Sequence, residues 1–370
     1  MKLLITGGGT GGHVNPGLAI AKYVQSRRPD AEIRFAGTAA GIESRLVPRE
    51  GYQLYTIDVR GLKRSLSPSA IVYNIATLQK SLTATNAAKK ILREFQPDAV
   101  IGCGGYASFP MVRAAQSLHI PTVLLEVNAL PGVVTKSCAK KADRVLISFE
   151  NTRALLENRP NIHLTGAPVR GDIIFADRQK AREKLGLGEK EKLVVSFWGS
   201  LGAATMNERM LDFFAREQEA GFPFHHIHAA GKSDWPHLSG ELESRRLSGP
   251  MLDVRQYIYD MSVVMAAADL VISRAGASTL SELTALGMPT ILVPSPYVVA
   301  NHQEKNARML ESHGGAVVLT EEQATGEALY QETAAILTDD GKRRAMAKAM
   351  AGLGIPDATE RIYNTLMSLL

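Results

Sequence analysis

The sequence predicts an α/β protein of two domains with parallel sheets, and three observations predict it. Apolar runs of strand length alternate with helical patterns along the chain, as parallel sheets joined by crossover helices require. The 370 residues, 45% of them apolar, suffice for two domains with a core each. Two of the apolar runs, Leu3-Leu4-Ile5 and Leu193-Val194-Val195-Ser196-Phe197, lead into glycine turns, so the two halves share a logic without a residue-level repeat.

Composition narrows the function classes. The formal charge of +5 is modest and its Lys and Arg are spread out, so nucleic acid is not the expected partner, while a basic rim facing acidic lipid fits. Cys103 and Cys138 form no CxxC pair or framework, which points to a reducing compartment. Leu3-Leu4-Ile5 is too short for a signal-peptide core, and no apolar run approaches the roughly 18 residues of a membrane span. A soluble or peripheral protein is expected.

The first strand runs into Thr6-Gly7-Gly8-Gly9-Thr10-Gly11-Gly12-His13, and Asn15-Pro16 is expected to cap and start a helix carrying Leu18, Ile20, Ala21 and Val24. Five glycines in six positions allow close backbone approach, with several N–H groups aimed at one oxyanion. Gly7, Gly9 and Gly12 satisfy GxGxxG, but a dinucleotide site also wants an acid ending the second strand. That strand, Ile33 to Ala36, ends in Gly37-Thr38, so the NAD reading loses its second support. His13 is as readily a structural loop residue as a general base.

From Ser67-Pro68 a helix is expected to run to about Phe95, with Ile71, Ile75, Leu78 and Leu82 at helical spacing. Lys63 and Arg64 precede it, and Lys80, Lys89, Lys90 and Arg93 lie along it. A solvated basic face is the plain explanation; an interfacial membrane patch is the sharper one. Ala99-Val100-Ile101 ends in Gly102-Cys103-Gly104-Gly105-Tyr106, and Pro121 to Leu125 ends in Glu126-Val127-Asn128. Strand after strand thus ends in glycine or a polar residue, as a ligand edge needs. Asp177 to Lys192, charged and holding Gly186 and Gly188, is taken as the domain connection. Past Val318 the pattern is helical, and Thr359 to Leu370 is expected to cross back to the first domain.

Arg274-Ala275-Gly276-Ala277-Ser278-Thr279-Leu280-Ser281-Glu282 reads as strand, small-residue turn and helix start, with Thr279 and Glu282 fitting a capping box. Open N–H donors at such an end suit a phosphate, whereas Glu282 suits sugar hydroxyls, and a nucleotide sugar carries both. An ordinary capped helix is the alternative. The continuation favours the ligand: a buried strand, Thr290 to Val293, is followed by Pro294-Ser295-Pro296-Tyr297 and Asn301-His302-Gln303-Glu304-Lys305-Asn306.

GGGTGGHVNPGLAIA near the start, GCGGYAS at 102–108, GAPVR at 166–170, GSLGA at 199–203, RAGASTLSELTALGMP at 274–289 and PSPYVVANHQEKNA at 294–307 carry a family resemblance. From residue 2 to about 320 the chain resembles the peptidoglycan N-acetylglucosaminyltransferases of glycosyltransferase family 28. The resemblance implies a GT-B fold: two Rossmann-like domains with parallel sheets facing across a cleft. Residues 1–168 would form the acceptor and membrane-facing domain, joined by a C-terminal helix 355–370, and 169–354 the donor domain. It implies inverting transfer of GlcNAc from UDP-GlcNAc to the C4 hydroxyl of MurNAc in undecaprenyl-pyrophosphoryl-MurNAc-pentapeptide, without metal or cofactor. It further implies peripheral attachment to the cytoplasmic side of the cell membrane, on anionic inner-leaflet lipid.

Carried over by motif, His13 matches the candidate base. Thr10, Gly11 and Gly12 fall at the glycine-rich loop and count among the donor-binding residues, and Gly9, Gly104, Gly105 and Tyr106 fall at the acceptor loops. Asn128 and Arg170 fall at donor contacts near the domain junction, Ser200 at a donor phosphate contact, and Ile258 where backbone reads uracil. Ala277, Ser278, Thr279, Leu280, Ser281 and Glu282 fall where a helix end holds pyrophosphate and an acid holds ribose; Gln303 falls where an amide reads sugar hydroxyls. No DxD ends a strand, and Asp339-Asp340-Gly341 reads as a helix-end turn, so no catalytic metal is expected. Leu125, Val127 and Leu201 depart from the family by replacing polar residues, which bears on the acceptor. The competing expectations are a related transferase with another lipid or secondary-metabolite acceptor, a non-catalytic UDP-sugar binder and, last, a dehydrogenase.

Overall fold

The computed structural model describes residues 1–59, 83–199, 201–298 and 301–370. The chain divides into two compact units, Met1–Pro168 with Asp357–Leu370, and Val169–Pro356. Unit 1 holds a seven-stranded parallel sheet: β1 (Lys2–Thr6), β2 (Glu32–Gly37), β3 (Gln53–Thr56), β4 (Ala99–Gly102), β5 (Thr122–Glu126), β6 (Arg144–Ile147) and β7 (Ile162–Leu164), in the order β3-β2-β1-β4-β5-β6-β7. Unit 2 holds six: β8 (Leu193–Phe197), β9 (His225–Ala229), β10 (Leu252–Arg255), β11 (Leu270–Ser273), β12 (Thr290–Leu292) and β13 (Ala316–Val318), in the order β10-β9-β8-β11-β12-β13. Strand order reverses between β1 and β4 and again between β8 and β11. Open parallel sheets bind ligands beyond the carboxyl ends of strands at such reversals.

Because helices cover both faces, the central strands are apolar throughout rather than alternating. The period of two still sorts them: Leu193, Val195 and Val271 pack into one core of unit 2, and Val194, Leu270 and Ile272 into the other. In unit 1, Leu4 and Val100 pack with Leu92 and Met111 on one side, and Leu124, Val145 and Ile147 pack with Cys138 and Ile162 in a second cluster.

Three local expectations are corrected. The first helix is Gly11–Arg27, capped by extended Thr10, so Asn15-Pro16 lies inside it rather than at its start. Thr10 accepts from the backbone of both His13 and Val14, at 3.1 and 3.3 Å, and closes the first turn on glycines before Pro16 is reached. The capping box at Thr279 and Glu282 also fails: the helix is Ala277–Ala285 with Gly276 at its N-cap and no side-chain cap, which places Thr279 within the first turn. The charged stretch 177–192 is no free connector. Asp177 caps a helix Arg178–Lys184 by accepting from Lys180 N–H at 3.0 Å, and Arg178 and buried Arg182 pair with buried Asp269 inside unit 2.

The 67–95 helix is described only from residue 83, where 83–95 is helical and Ala88, Leu92 and Phe95 are buried. Ile71, Ile75, Leu78, Leu82, Lys63, Arg64 and Lys80 lie outside the described residues. After β13 come helices Gly326–Thr338, Asp340–Leu353 and Ala358–Met367, and Asp339 caps the second by accepting from Lys342 N–H at 2.9 Å. The last belongs to unit 1, with Tyr363 edge-on to Tyr23 of the first helix at 5.6 Å. Among the described residues no helix is long and apolar enough to cross a membrane.

An enclosed polar chain runs behind β8 and β9. Asn207 Nδ2 donates to Ala230 O at 2.9 Å and Asp234 Oδ2 at 2.6 Å, so Asn207 Oδ1 is left to accept from His228 Nε2 at 3.3 Å. His228 Nδ1 then accepts from Ser196 Oγ at 2.6 Å, and Ser196 accepts from His226 Nε2 at 2.7 Å. His226 Nδ1 stands 2.8 Å from Glu217 Oε1. Every link closes only when one proton lies between Glu217 and His226 and His228 stays neutral. Burial agrees: it raises Glu217 and drives His228 well below the usual imidazole range.

Candidate active site

In unit 1 the loops leaving β1 and β4 meet at the strand reversal. His13 sits in the first turn of its helix with ring Nδ1 3.0 Å from Cys103 O. A carbonyl only accepts, so Nδ1 donates, and the neutral ring carries its lone pair on Nε2. Two glycines make this approach possible. Gly104 has φ +94°, and a Cβ there would stand 2.7 Å from the ring Nδ1; Gly105 has φ +77°, and its Cβ would stand 2.2 Å from Gly8 O. Tyr106, exposed, lays its ring edge beside Gly9, which has φ +84°. The neighbouring Cys103 thiol is pushed up to about 12 by burial, which removes it as a nucleophile.

Beneath the first loop lies a carboxylate that sequence reasoning missed. Glu43, fully buried, accepts from Gly9 N–H at 3.1 Å, Thr38 N–H at 2.9 Å and Thr38 Oγ–H at 2.6 Å. Burial, the largest single influence, works to raise its pKa; the donors from Thr38 and Gly9 together outweigh it and hold the carboxyl below its usual range. The acid absent from the end of β2 is therefore present six residues further on, turned inward. Its signal was three glycines, Gly8, Gly37 and Gly41, that carry no Cβ where the carboxylate sits. Gly9 N–H is committed to Glu43, so the expectation that this loop's amides converge on an oxyanion is corrected at that position.

A second carboxylate fixes Asn128. Glu126 accepts from Asn128 N–H at 3.1 Å, Asn128 Nδ2 at 3.2 Å, Gly132 N–H at 2.8 Å and Thr135 Oγ–H at 2.6 Å. Leu125 and Val127 on either side of Glu126 are buried, so two of the three departures from family polarity are packing residues. The third, Leu201, is 68% exposed.

In unit 2, β8 and β11 exit into one pocket of about 480 Å³, lined by Trp198, Gly199, Gly202, Ala203, Arg274, Gly276, Thr279, Tyr297, Gln303 and Glu321 among others. The N-termini of two helices, Ala204–Glu219 and Ala277–Ala285, open on it. Their first N–H groups have no partner within the helix and place partial positive charge there. Arg274 adds a guanidinium, held by Val293 O at 3.1 Å and paired with Glu321 at 2.5 Å. Gln303 Oε1 accepts from Ser295 N–H at 2.9 Å, which fixes the flip of its amide and leaves the NH₂ as the donor end.

The structure divides the expected helix-end residues. Ser278, Thr279 and Glu282 share the partly exposed face. Leu280 is fully buried with its N–H spent on Gly276 O at 2.9 Å, and buried Ser281 spends its hydroxyl on Ala277 O at 3.0 Å. Leu280 and Ser281 thus anchor the helix, and open amides are limited to Ala277, Ser278 and Thr279. Burial pushes Glu282 up to about 7, with Arg170 opposing and Asp172 reinforcing the shift. Arg170 is exposed and forked onto Asp172 at 3.1 and 2.6 Å. The Ile258 side chain is buried in the core, so only its backbone can serve a ligand. Ser200 lies outside the described residues.

Two parallel-sheet units, each with a glycine turn at its strand reversal, a histidine ring bonded to Cys103 O in one and an anion-suited pocket in the other, make up a two-unit α/β plan, and the family matches make that plan a glycosyltransferase. The glycosyltransferase family 28 N-terminal domain matches residues 3–147 and the family 28 C-terminal domain residues 193–362. The chain belongs to glycosyltransferase family 28. It is 44% identical over 373 residues to the UDP-N-acetylglucosamine–N-acetylmuramyl-(pentapeptide) pyrophosphoryl-undecaprenol N-acetylglucosamine transferase of Acetivibrio thermocellus, covering 100% of this chain and 98% of the relative. The transferase of the same name from Ruminiclostridium cellulolyticum is 40% identical over 370 residues, 100% of each chain. Among solved structures, Acinetobacter baumannii MurG superposes with a TM-score of 0.76 at 27% identity, over 99% of each chain.

Proposed function

We propose that this enzyme transfers N-acetylglucosamine from UDP-N-acetylglucosamine to the C4 hydroxyl of MurNAc in undecaprenyl-pyrophosphoryl-MurNAc-pentapeptide, a step of peptidoglycan synthesis. The observation that carries it is the pocket at the β8/β11 reversal, where two helix N-termini and a glycine turn offer amides to a diphosphate. Ala277, Ser278 and Thr279 would hold the diphosphate, Glu282 the ribose hydroxyls, the Ile258 backbone the base, and the Gln303 amide the sugar. Ser200 and Asn128 are carried over from the family as donor contacts.

His13 would act as general base. With Nδ1 donating to Cys103 O, Nε2 takes the C4 hydroxyl proton as the oxygen attacks the anomeric carbon and UDP leaves from the opposite face, inverting configuration. Charge developing on the departing diphosphate falls on the helix amides and on Arg170 once it exchanges Asp172 for phosphate. Gly9, Gly104, Gly105 and Tyr106 would shape the acceptor side, with Thr10, Gly11 and Gly12 forming the turn that carries His13. Attachment to the cytoplasmic face of the membrane is part of the proposal, supported by exposed Lys90 and Arg93 on the 83–95 helix.

Purified enzyme, UDP-GlcNAc and lipid-linked MurNAc-pentapeptide should yield UDP and a β-linked disaccharide lipid, with the rate unchanged by EDTA. Turnover only on another lipid or a secondary-metabolite acceptor would replace the acceptor assignment. Donor binding without turnover on any acceptor would make the chain a UDP-sugar binder.

A further inference from the structure

We infer that Glu43 is a positioning residue of the transfer reaction: its buried carboxylate clamps the glycine loop that carries His13 and sets where the base stands. The inference rests on the assignment of His13 as base. The clamp reaches across two strand exits, since Gly9 belongs to the turn after β1 and Thr38 to the segment after β2, and both donate to one carboxylate. A Cβ on Gly8, Gly37 or Gly41 would stand 2.4, 2.6 or 2.2 Å from a Glu43 side-chain atom, so backbone closes around the group from three sides. His13 follows Gly9 by four residues, in the first turn of the helix that this loop opens, and its ring bonds Cys103 O on a different loop. Without the clamp the turn keeps its glycine freedom, and the start of the helix that carries the ring is no longer held at Gly9.

The charge as well as the shape of Glu43 is used. A glutamine there can turn its oxygen to Thr38 N–H while the threonine hydroxyl rotates to compensate, but its NH₂ then faces Gly9 N–H, donor against donor. Aspartate keeps the charge and falls a methylene short. The Gly9 amide differs accordingly from the donor of a phosphate cradle, because a buried anion already accepts from it.

The test compares wild type with Glu43→Gln in the full-length chain, reading acceptor turnover, donor affinity by calorimetry and hydrogen exchange of amides 7–13. The expected result is a kcat lower by about 100-fold, as a misplacement near 1 Å produces, with donor affinity and melting temperature retained and protection of the Gly9 amide lost. Full kcat in Glu43→Gln, or a lower kcat with unchanged exchange at 7–13, overturns the inference. If wild type itself fails on every acceptor, the proposed function falls while the exchange comparison still decides whether Glu43 holds the loop. Should Glu43→Gln not fold, Thr38→Val removes one donor at 2.6 Å and keeps the charge; it should cost several-fold in kcat with partial loss of protection. Unchanged kcat and exchange in Thr38→Val would count against the clamp.

Discussion

The two glycine turns of this molecule follow equivalent strands and look alike in sequence, yet their surroundings differ. The turn after β1 rests on the buried Glu43 carboxylate and supports a histidine. The turn after β8 opens on a pocket with two helix N-termini and an arginine. One backbone motif therefore stands in two settings: an internal carboxylate accepts from Gly9 N–H in the first unit, whereas in the second Gly202 N–H closes its own turn on Gly199 O and the carboxylate lining the pocket, Glu321, pairs with Arg274. A glycine pattern reports close backbone approach; it does not report what approaches.

Substitutions on each side should separate the tasks. His13→Ala should lower kcat by about 100- to 10,000-fold, the range of a lost general base, and leave the donor dissociation constant unchanged by calorimetry. A normal rate would move the base elsewhere. Glu282→Ala should act the other way round, weakening UDP-GlcNAc by about 1.5–3 kcal/mol through lost charge-assisted hydrogen bonds, with kcat at saturation far less affected.

Glu282 also ties donor binding to pH. Held at about 7 by burial, it is partly protonated near neutrality, while the proposed ribose contact is strongest to the ionised form. Donor affinity should therefore fall as pH drops below 7 and level off above 8, and Glu282→Gln should flatten that profile. Stability of the ligand-free protein has the opposite sign: a carboxyl raised above its unfolded value contributes below that value and loses the contribution as pH rises through about 7.

Gly104→Ala probes the mount alone. The φ of +94° and a Cβ 2.7 Å from the His13 ring should cost about 1–3 kcal/mol of stability and displace the base, seen as a lower melting temperature and a reduced kcat with donor affinity intact. The smallest effect is expected behind the second turn. Glu217, raised by burial, loses its stabilising share as pH rises, and His228, lowered by burial, resists protonation as pH falls below the usual imidazole value. Glu217→Gln should hold the melting temperature at neutral pH, because its NH₂ can donate to His226 Nδ1, and should flatten the decline that follows as pH rises above the ordinary carboxylate range, measured by calorimetry. A steeper decline would refute the proton inventory of that chain.

Strand positions and the two-unit α/β plan were legible because parallel strands buried on both faces read as plain apolar runs, as at Ala99-Val100-Ile101 and Leu270-Val271-Ile272. Helix starts were less so. At Thr10 and Gly276 the chain turns helical on glycine and small residues with no side-chain cap, so the rules looked for Asn15 and Thr279, five and three residues too late. The family motif brought Ala277 to Glu282 forward as a block, and only burial separated Leu280 and Ser281 from the rest. The Glu217–Asn207 chain was invisible because its meaning depends on contacts across strands far apart in sequence, and the three glycines that make room for Glu43 do not name the group they admit.

The pairing of Tyr363 with Tyr23 has a consequence for biosynthesis. The helix that mounts His13 receives its last packing partner from a segment translated roughly 190 residues, or about 10–40 s, after the rest of its unit. During elongation the first unit waits half-dressed while the second, contiguous in the message, can complete itself, so on the proposed assignment a nascent chain should capture UDP before it can catalyse.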